Sequence, residues 1–406
     1  MKKKKAPLGR RMKEFVKTSV VWGPLDHNLF FTIIFLNVYG IIMVYSASYN
    51  NSITKNYSYF MNNQLKNVIF GFVIMIVASY VNYHRIVRLG WGWFWLLAAL
   101  AIIAALKTPL AHSELGATRW IKLGPVSFQA AEPIKAAIII FFAYYVSYWG
   151  LNRWYNQLLA CLLAIALLGF LFFFSNNLST VIVLFCICAV IILSSVKKPD
   201  LYWYFLLGLA LIIIAAIFVT VYLLMHQGAE NFRFVRIRAW LHPEEYAADE
   251  GLQAMQARYA IGAGGFWGKG LGQSLIKFKL SYSYNDFILA IICEELGVFG
   301  VIVMMTLFGY LLYRIYKIAQ NAWDIEGKVL AIGVFTQIAL QLLINVMVVT
   351  SVIPTTGVTL PFFRAGGTSV VFLLAELALV LNVVKYAQER RFFEEAERHV
   401  AQMEER

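Results

Sequence analysis

A long polar stretch, Gln227–Asp286, interrupts an otherwise apolar chain and ends on one carboxylate, Asp286. It carries Arg233, Arg236, Arg238, Arg258, Lys269, Lys277 and Lys279. Its glycines, Gly262, Gly264, Gly265, Gly268, Gly270 and Gly272, stand close enough together to oppose a regular helix. A basic, Gly-rich segment that delivers one aspartate to a helix mouth has the chemistry of a site for an anionic, membrane-borne substrate. Lys269 is followed by Gly270 rather than Ser or Thr, so the glycines do not make a P-loop. Taken alone, Asp286 reads equally as a general base and as the cap of the helix that follows it.

A second group precedes the fourth apolar run: Arg119 and Trp120, then Ser127-Phe128-Gln129, then Glu132-Pro133-Ile134-Lys135. Pro133 suits a first helical turn. Glu132 and Lys135, three apart, share a helix face and can neutralise each other. A third group is Arg364 with Gly366 and Gly367. Arg119, Trp120, Glu132, Lys135, Lys277, Arg364, Gly366 and Gly367 are the candidate substrate-binding residues, their cations forming a floor for phosphate groups. Long loops that cross the membrane regardless of charge would give the same distribution without a ligand. Glu294 and Glu295, and Glu376 further on, read either as buried, paired carboxylates or as a second catalytic acid. The six histidines lack metal-ligand spacing, and no cofactor is indicated. A divalent cation, Mg2+ or Mn2+, would have to be held by carboxylates together with substrate phosphate groups.

The elements that must position these residues are membrane spans. The chain is 60% hydrophobic and 14% charged, against roughly 45–50% and about 25% in soluble domains. This composition predicts an all-α polytopic membrane protein of about ten transmembrane helices. The apolar runs are Leu29–Ser48, Val68–Val81, Trp93–Leu106, Ile134–Tyr148, Leu158–Phe174, Leu178–Val196, Leu201–Met225, Phe287–Ile315, Val329–Val349 and Ser369–Tyr386. The basic stretch Lys2–Lys17 places the N-terminus in the cytoplasm. Alternation then puts the C-terminus there too, and the 226–286 loop outside, between spans seven and eight. Residues 1–28 form a basic tail, 29–386 the membrane domain and 387–406 a C-terminal tail. The first apolar run begins too late for a signal peptide and reads as an uncleaved span. The four cysteines fall in apolar segments and imply no disulfide framework. The net charge of +13 follows from basic loops and calls for no nucleic acid.

Three segments carry a family resemblance. Gly270-x-Gly272-x-Ser274-x-x-Lys277 precedes Asn285-Asp286-Phe287-Ile288 and Glu294-Glu295-Leu296-Gly297. Pro354-x-x-Gly357-x-Thr359-Leu360-Pro361 leads into Gly366-Gly367-Thr368-Ser369, and Gly116–Lys135 is the third segment. With Val44–Ser48 and Asn345, the chain resembles the SEDS family (shape, elongation, division and sporulation), whose members include FtsW and RodA. The resemblance implies a peptidoglycan glycosyltransferase that polymerises lipid II and releases undecaprenyl pyrophosphate. It places this activity at the outer face of the bacterial plasma membrane, with Asp286 matching the family's catalytic aspartate. It also implies a class B penicillin-binding protein as partner, together with other divisome or elongasome proteins. Thr359-Leu360-Pro361 and the basic N-terminal tail lean toward an FtsW-like, division role. Asn176-Asn177-Leu178-Ser179-Thr180 stands where the family often has Pro-Asp-Leu-Gly-Thr, a departure assigned to span packing; Arg364-Ala365 replaces Ser-Tyr in the exterior cavity. Two other classes share the ten-span outline, a lipid II flippase and a non-catalytic division scaffold. Leu307, Tyr310 and Leu311 form an apolar stripe that suits either lipid or a single-span partner.

Overall fold

The computed structural model describes residues 21, 23–48, 59–114, 117–124, 126–175, 177–196, 232–246, 250–278, 285–364 and 367–404. Apolar runs of membrane length become helices because their own backbone hydrogen bonds satisfy every polar group along them. In chain order these helices are α1 (His27–Ser48), α2 (Tyr59–Ala78), the short α3 (Tyr83–Val87), α4 (Trp93–Ala105), α5 (Ala131–Trp149), α6 (Trp154–Ser175) and α7 (Leu178–Ser195). After the segment outside the described residues come α8 (Phe232–Leu241), α9 (Glu250–Gly264), α10 (Ile288–Gln320), α11 (Ile325–Val349) and α12 (Gly367–Glu404). Among the described residues seven helices, α1, α2, α6, α7, α10, α11 and α12, are long and apolar enough to cross a membrane. The chain is a mostly helical, polytopic membrane protein. The expected span 201–225 lies outside the described residues.

The core lies where α5, α10, α11 and α12 meet. Residues Ala137–Val146 of α5 are all buried, as are Leu373, Leu374 and Leu377–Leu381 of α12. Close approach is made by small residues: a Cβ on Gly333 of α11 would stand 2.6 Å from Ile139 of α5. α2 packs along α12, α10 against both α1 and α11, and α11 against α5 and α7.

Several expectations change. The chain is not purely helical: β1 (Ala111–Glu114), β2 (Ala117–Leu123) and β3 (Val126–Gln129) form an antiparallel sheet in the order β1-β2-β3. β2 pairs with β3 through Trp120↔Gln129 and Lys122↔Ser127. The Ala117–Leu123 run is too short to span a membrane, and its β-branched and aromatic residues suit a pleated surface. The glycine cluster does not exclude helix throughout, since α9 runs through Gly262 to Gly264 before the chain turns. α10 is broken at Gly297, with φ 64° and ψ −162°. The expected docking stripe is not one surface: Tyr310 is exposed, whereas Leu311 is completely buried. α12 continues without interruption through most of the expected C-terminal tail.

Candidate active site

Asp286 sits in a turn just before α10, half-buried, and does not cap the helix: the capping position is Phe287, without a side-chain cap bond. Its backbone is fixed by Asn345, one turn from the end of α11, whose amide donates to the Asp286 carbonyl at 2.9 Å. Around its carboxylate the fold gathers three guanidinium groups, Arg364, Arg119 and Arg236. Burial pushes Asp286 above the ordinary carboxylate range. Arg364 most strongly, then Arg119 and Arg236, pull it back part of the way.

Each arginine comes from a different element. Arg119 is on β2, Arg236 on α8, and Arg364 on the segment between α11 and α12. Arg364 lies 5.0 Å from the centroid of the Trp120 ring, and its Nη1 donates to Gln129 Oε1. α8 and α9 are held over the end of α11 by Ser351, which accepts from Trp240 Nε1 at 2.8 Å and from Arg258 Nε at 3.0 Å. Gly357, at φ 71°, permits the closest approach: a Cβ there would stand 3.0 Å from Arg119 Nη1 and 3.6 Å from Asp286 Oδ2. The carboxylate and the guanidinium therefore flank one glycine.

Gly357 also lines a small cavity that opens to solvent, together with Gln129, Glu132, Lys135, Asn177, Thr180 and Gln341 among others. Glu132 and Lys135 pair at 2.8 Å with both side chains almost wholly buried, as their spacing predicts. A neighbouring small cavity shares Glu132 and Gln341 and reaches Arg364. Ser179 Oγ donates to the Thr356 carbonyl at 2.7 Å, fixing the segment that carries Gly357. Asn177 caps α7, its Oδ1 accepting from the Thr180 N–H at 3.4 Å, and Asn177, Ser179 and Thr180 also line the cavity. Deeper in the bundle, Gln337 Nε2 donates to Glu376 Oε2 at 2.6 Å, the buried hydrogen bonding expected of Glu376.

The cationic floor contracts to part of its expected membership. Arg119 and Arg364 gather around Asp286, Trp120 lies against Arg364, and Glu132 and Lys135 line the adjoining cavity. Gly367 begins α12 nearby, and Gly366 lies outside the described residues. Lys277 does not face the cavity. Its ammonium is buried, donating to the Gly272 carbonyl at 2.7 Å and pairing with Glu295 at 3.4 Å, because that carboxylate is buried and needs a counter-charge. Arg236, Gln341 and Gly357 join the site although none is among the candidate substrate-binding residues, Gly357 standing only in the Pro354–Pro361 motif. Arg236 was one of many loop cations, and Gln341 showed only as a polar residue in an apolar run.

Among the described residues no three His, Cys, Asp or Glu side chains converge in a way that could hold a metal ion.

The profile of the FtsW/RodA/SpoVE cell cycle protein family matches residues 26–389. A probable peptidoglycan glycosyltransferase FtsW of Trichlorobacter lovleyi is 31% identical over 92% of this chain and 96% of its own length. The stage V sporulation protein E of Bacillus subtilis is 33% identical over 88% of this chain and 96% of its own. Among solved structures, a chain of a peptidoglycan synthase complex coordinating polymerization and crosslinking superposes with a TM-score of 0.75 at 22% identity, covering 90% of this chain and 99% of that one. The rod shape determining protein RodA of Thermus thermophilus superposes with a TM-score of 0.64 at 22% identity, covering 89% and 97%. These likenesses share the fold described above, and the sequence match spans both the spans and the site: the chain belongs to the FtsW/RodA/SpoVE family of cell cycle proteins.

Proposed function

We propose that this chain is a peptidoglycan glycosyltransferase, polymerising lipid II at the outer face of the bacterial plasma membrane. The observation that carries the reading is one carboxylate, Asp286, set among Arg364, Arg119 and Arg236 beside a polar cavity between membrane helices. Relatives named as probable peptidoglycan glycosyltransferases support it. Ten spans with both termini in the cytoplasm would place this end of the bundle outside.

Chain growth joins a sugar hydroxyl to an anomeric carbon. Asp286 takes the hydroxyl proton as the new C–O bond forms, and the bond to the lipid pyrophosphate breaks with its electron pair leaving on phosphate oxygen. A carboxylate raised toward working pH is better matched to that proton transfer than an ordinary one. Arg119 and Arg364 present planar forks that suit pyrophosphate oxygens, and Lys135 adds a point charge from within the Glu132 pair. A divalent cation, where the reaction uses one, would draw ligands from Asp286 and the pyrophosphate. A class B penicillin-binding protein is the proposed partner, since nothing in the described residues resembles a soluble crosslinking domain.

The test is direct. Purified protein supplied with lipid II should form glycan polymer, and Asp286→Asn should lower the rate by about 10²–10⁴-fold while folding normally. Native-rate polymer from a well-folded Asp286→Asn protein would remove the general base. Lipid II translocation without polymer would instead favour a flippase.

A further inference from the structure

Glu294 and Glu295 are completely buried, and Glu294 lies about 9 Å inside α10 by helix rise. Carboxylates at that depth need partners and are functional candidates. Here the partners come from the Gly-rich segment 269–277 and from Ser46 of α1. Glu294 accepts from Lys269 Nζ at 2.8 Å, from the Leu275 and Ile276 N–H groups at 3.2 and 3.3 Å, and from Ser274 Oγ. Those donors fill the acceptor positions of one carboxylate. Glu295 accepts from Ser46 Oγ at 2.5 Å, from the Ser274 N–H at 3.3 Å and from Lys277 Nζ at 3.4 Å.

The backbone of α10 is opened to receive the same segment. At the Gly297 break, Lys269 and Gly270 donate to the Glu294 and Glu295 carbonyls, each at 2.9 Å. Val298 and Phe299 donate back to the Gly265 and Phe266 carbonyls, each at 3.1 Å. A Cβ on Gly297 would lie 2.4 Å from Gly268 N and from Phe266 O, so only glycine fits there. Phe266, Trp267, Leu271 and Leu275 all point outward. Polar groups inward and apolar side chains outward are what irregular backbone requires to lie along a helix at membrane depth.

Asp286 lies nine residues after Lys277 and eight before Glu294. The stretch that carries it therefore starts from, and returns to, the same carboxylate pair. We infer that Glu294 and Glu295, with Lys269 and Lys277, form a clamp that positions Asp286. The clamp fixes the beginning of that stretch as α10 fixes its end. Lys277 is thus a positioning residue rather than a phosphate ligand. The inference rests on Asp286 acting as the base.

The experiment compares Lys277→Met, Glu295→Gln, their double variant, Lys277→Arg and Asp286→Asn in the full-length purified chain, with rates measured across lipid II concentrations. Each single neutral variant should lower kcat by about 10²-fold, the cost of a small misplacement of a catalytic group. KM should stay within about twofold of native, because no substrate contact is lost. The double variant, which removes both members of a buried pair, should recover about tenfold or more over either single variant. Should a single variant fail to fold, Lys277→Arg and the double variant carry the test: both should retain native KM. A raised KM in any Lys277 variant, unrelieved by Glu295→Gln, would put Lys277 on the substrate and overturn the clamp; so would native kcat in both single variants. Asp286→Asn separates the two readings. A native rate there removes the base whatever the clamp variants do, whereas loss of activity there beside unaffected clamp variants removes the clamp alone.

Discussion

Asn345 holds Asp286 by its backbone rather than by its carboxylate: one side-chain amide donates to the carbonyls of Asp286 and Val358, each at 2.9 Å. That amide joins the turn bearing the carboxylate to the segment bearing Gly357, leaving the carboxylate itself to the arginines and to substrate. Asn345→Leu keeps the volume but strands two carbonyls, each loss worth about 1–3 kcal/mol when buried. The expected result is a lower melting temperature together with slower polymerisation. An unchanged melting temperature would show that the two segments are held by other contacts.

Acid should switch the enzyme off, and Arg364 should set where. On the proposed reading Asp286 accepts a proton only when ionised, so activity should fall as pH drops through its folded-state pKa, which lies above the ordinary carboxylate range. Arg364 is the strongest influence pulling that pKa down. Arg364→Gln therefore raises it further, and the acid limb of the pH–rate profile should move to higher pH. A limb that stays in place, or moves to lower pH, contradicts the assignment of that limb to Asp286.

How much of this was legible beforehand depends on the kind of signal each residue leaves. Apolar runs announce helices, and the Glu132–Lys135 spacing announced its own ion pair, because period and charge are local properties. Asp286 stood out as a lone carboxylate between a glycine cluster and an apolar run. The three-stranded sheet escaped notice because its strands are short and set among membrane helices. The pairing of Lys277 with Glu295 left no trace for a related reason: a lysine in a basic loop looks the same whether it faces substrate or a buried glutamate eighteen residues on. Arg236 and Gln341 reach the site only through tertiary packing, which leaves no periodic trace.

The Glu132–Lys135 pair lies at the cavity wall, 2.8 Å apart and nearly closed to solvent. Removing one partner leaves an uncompensated buried charge, a loss of about 3–5 kcal/mol. Both Glu132→Gln and Lys135→Met should therefore melt earlier, and the double variant should regain much of the lost stability. Activity should not return with it, because Lys135 is read as a phosphate contact. A double variant that recovers both stability and rate would reduce the pair to packing.

Gly357 tests the approach of Asp286 and Arg119 most simply. Its φ of 71° is strained for any residue with a Cβ. An added methyl would also press on Arg119 Nη1 at 3.0 Å while meeting Asp286 Oδ2 at an ordinary 3.6 Å. Gly357→Ala should displace the guanidinium more than the carboxylate, so lipid II affinity should weaken along with turnover. Asp286→Asn, by contrast, should leave affinity largely intact and lower turnover alone, because it removes the proposed base and keeps the shape. Binding and polymerisation measured on both variants distinguish the two roles. Native affinity with reduced turnover in Gly357→Ala would mean that Arg119 serves the carboxylate and not the leaving pyrophosphate.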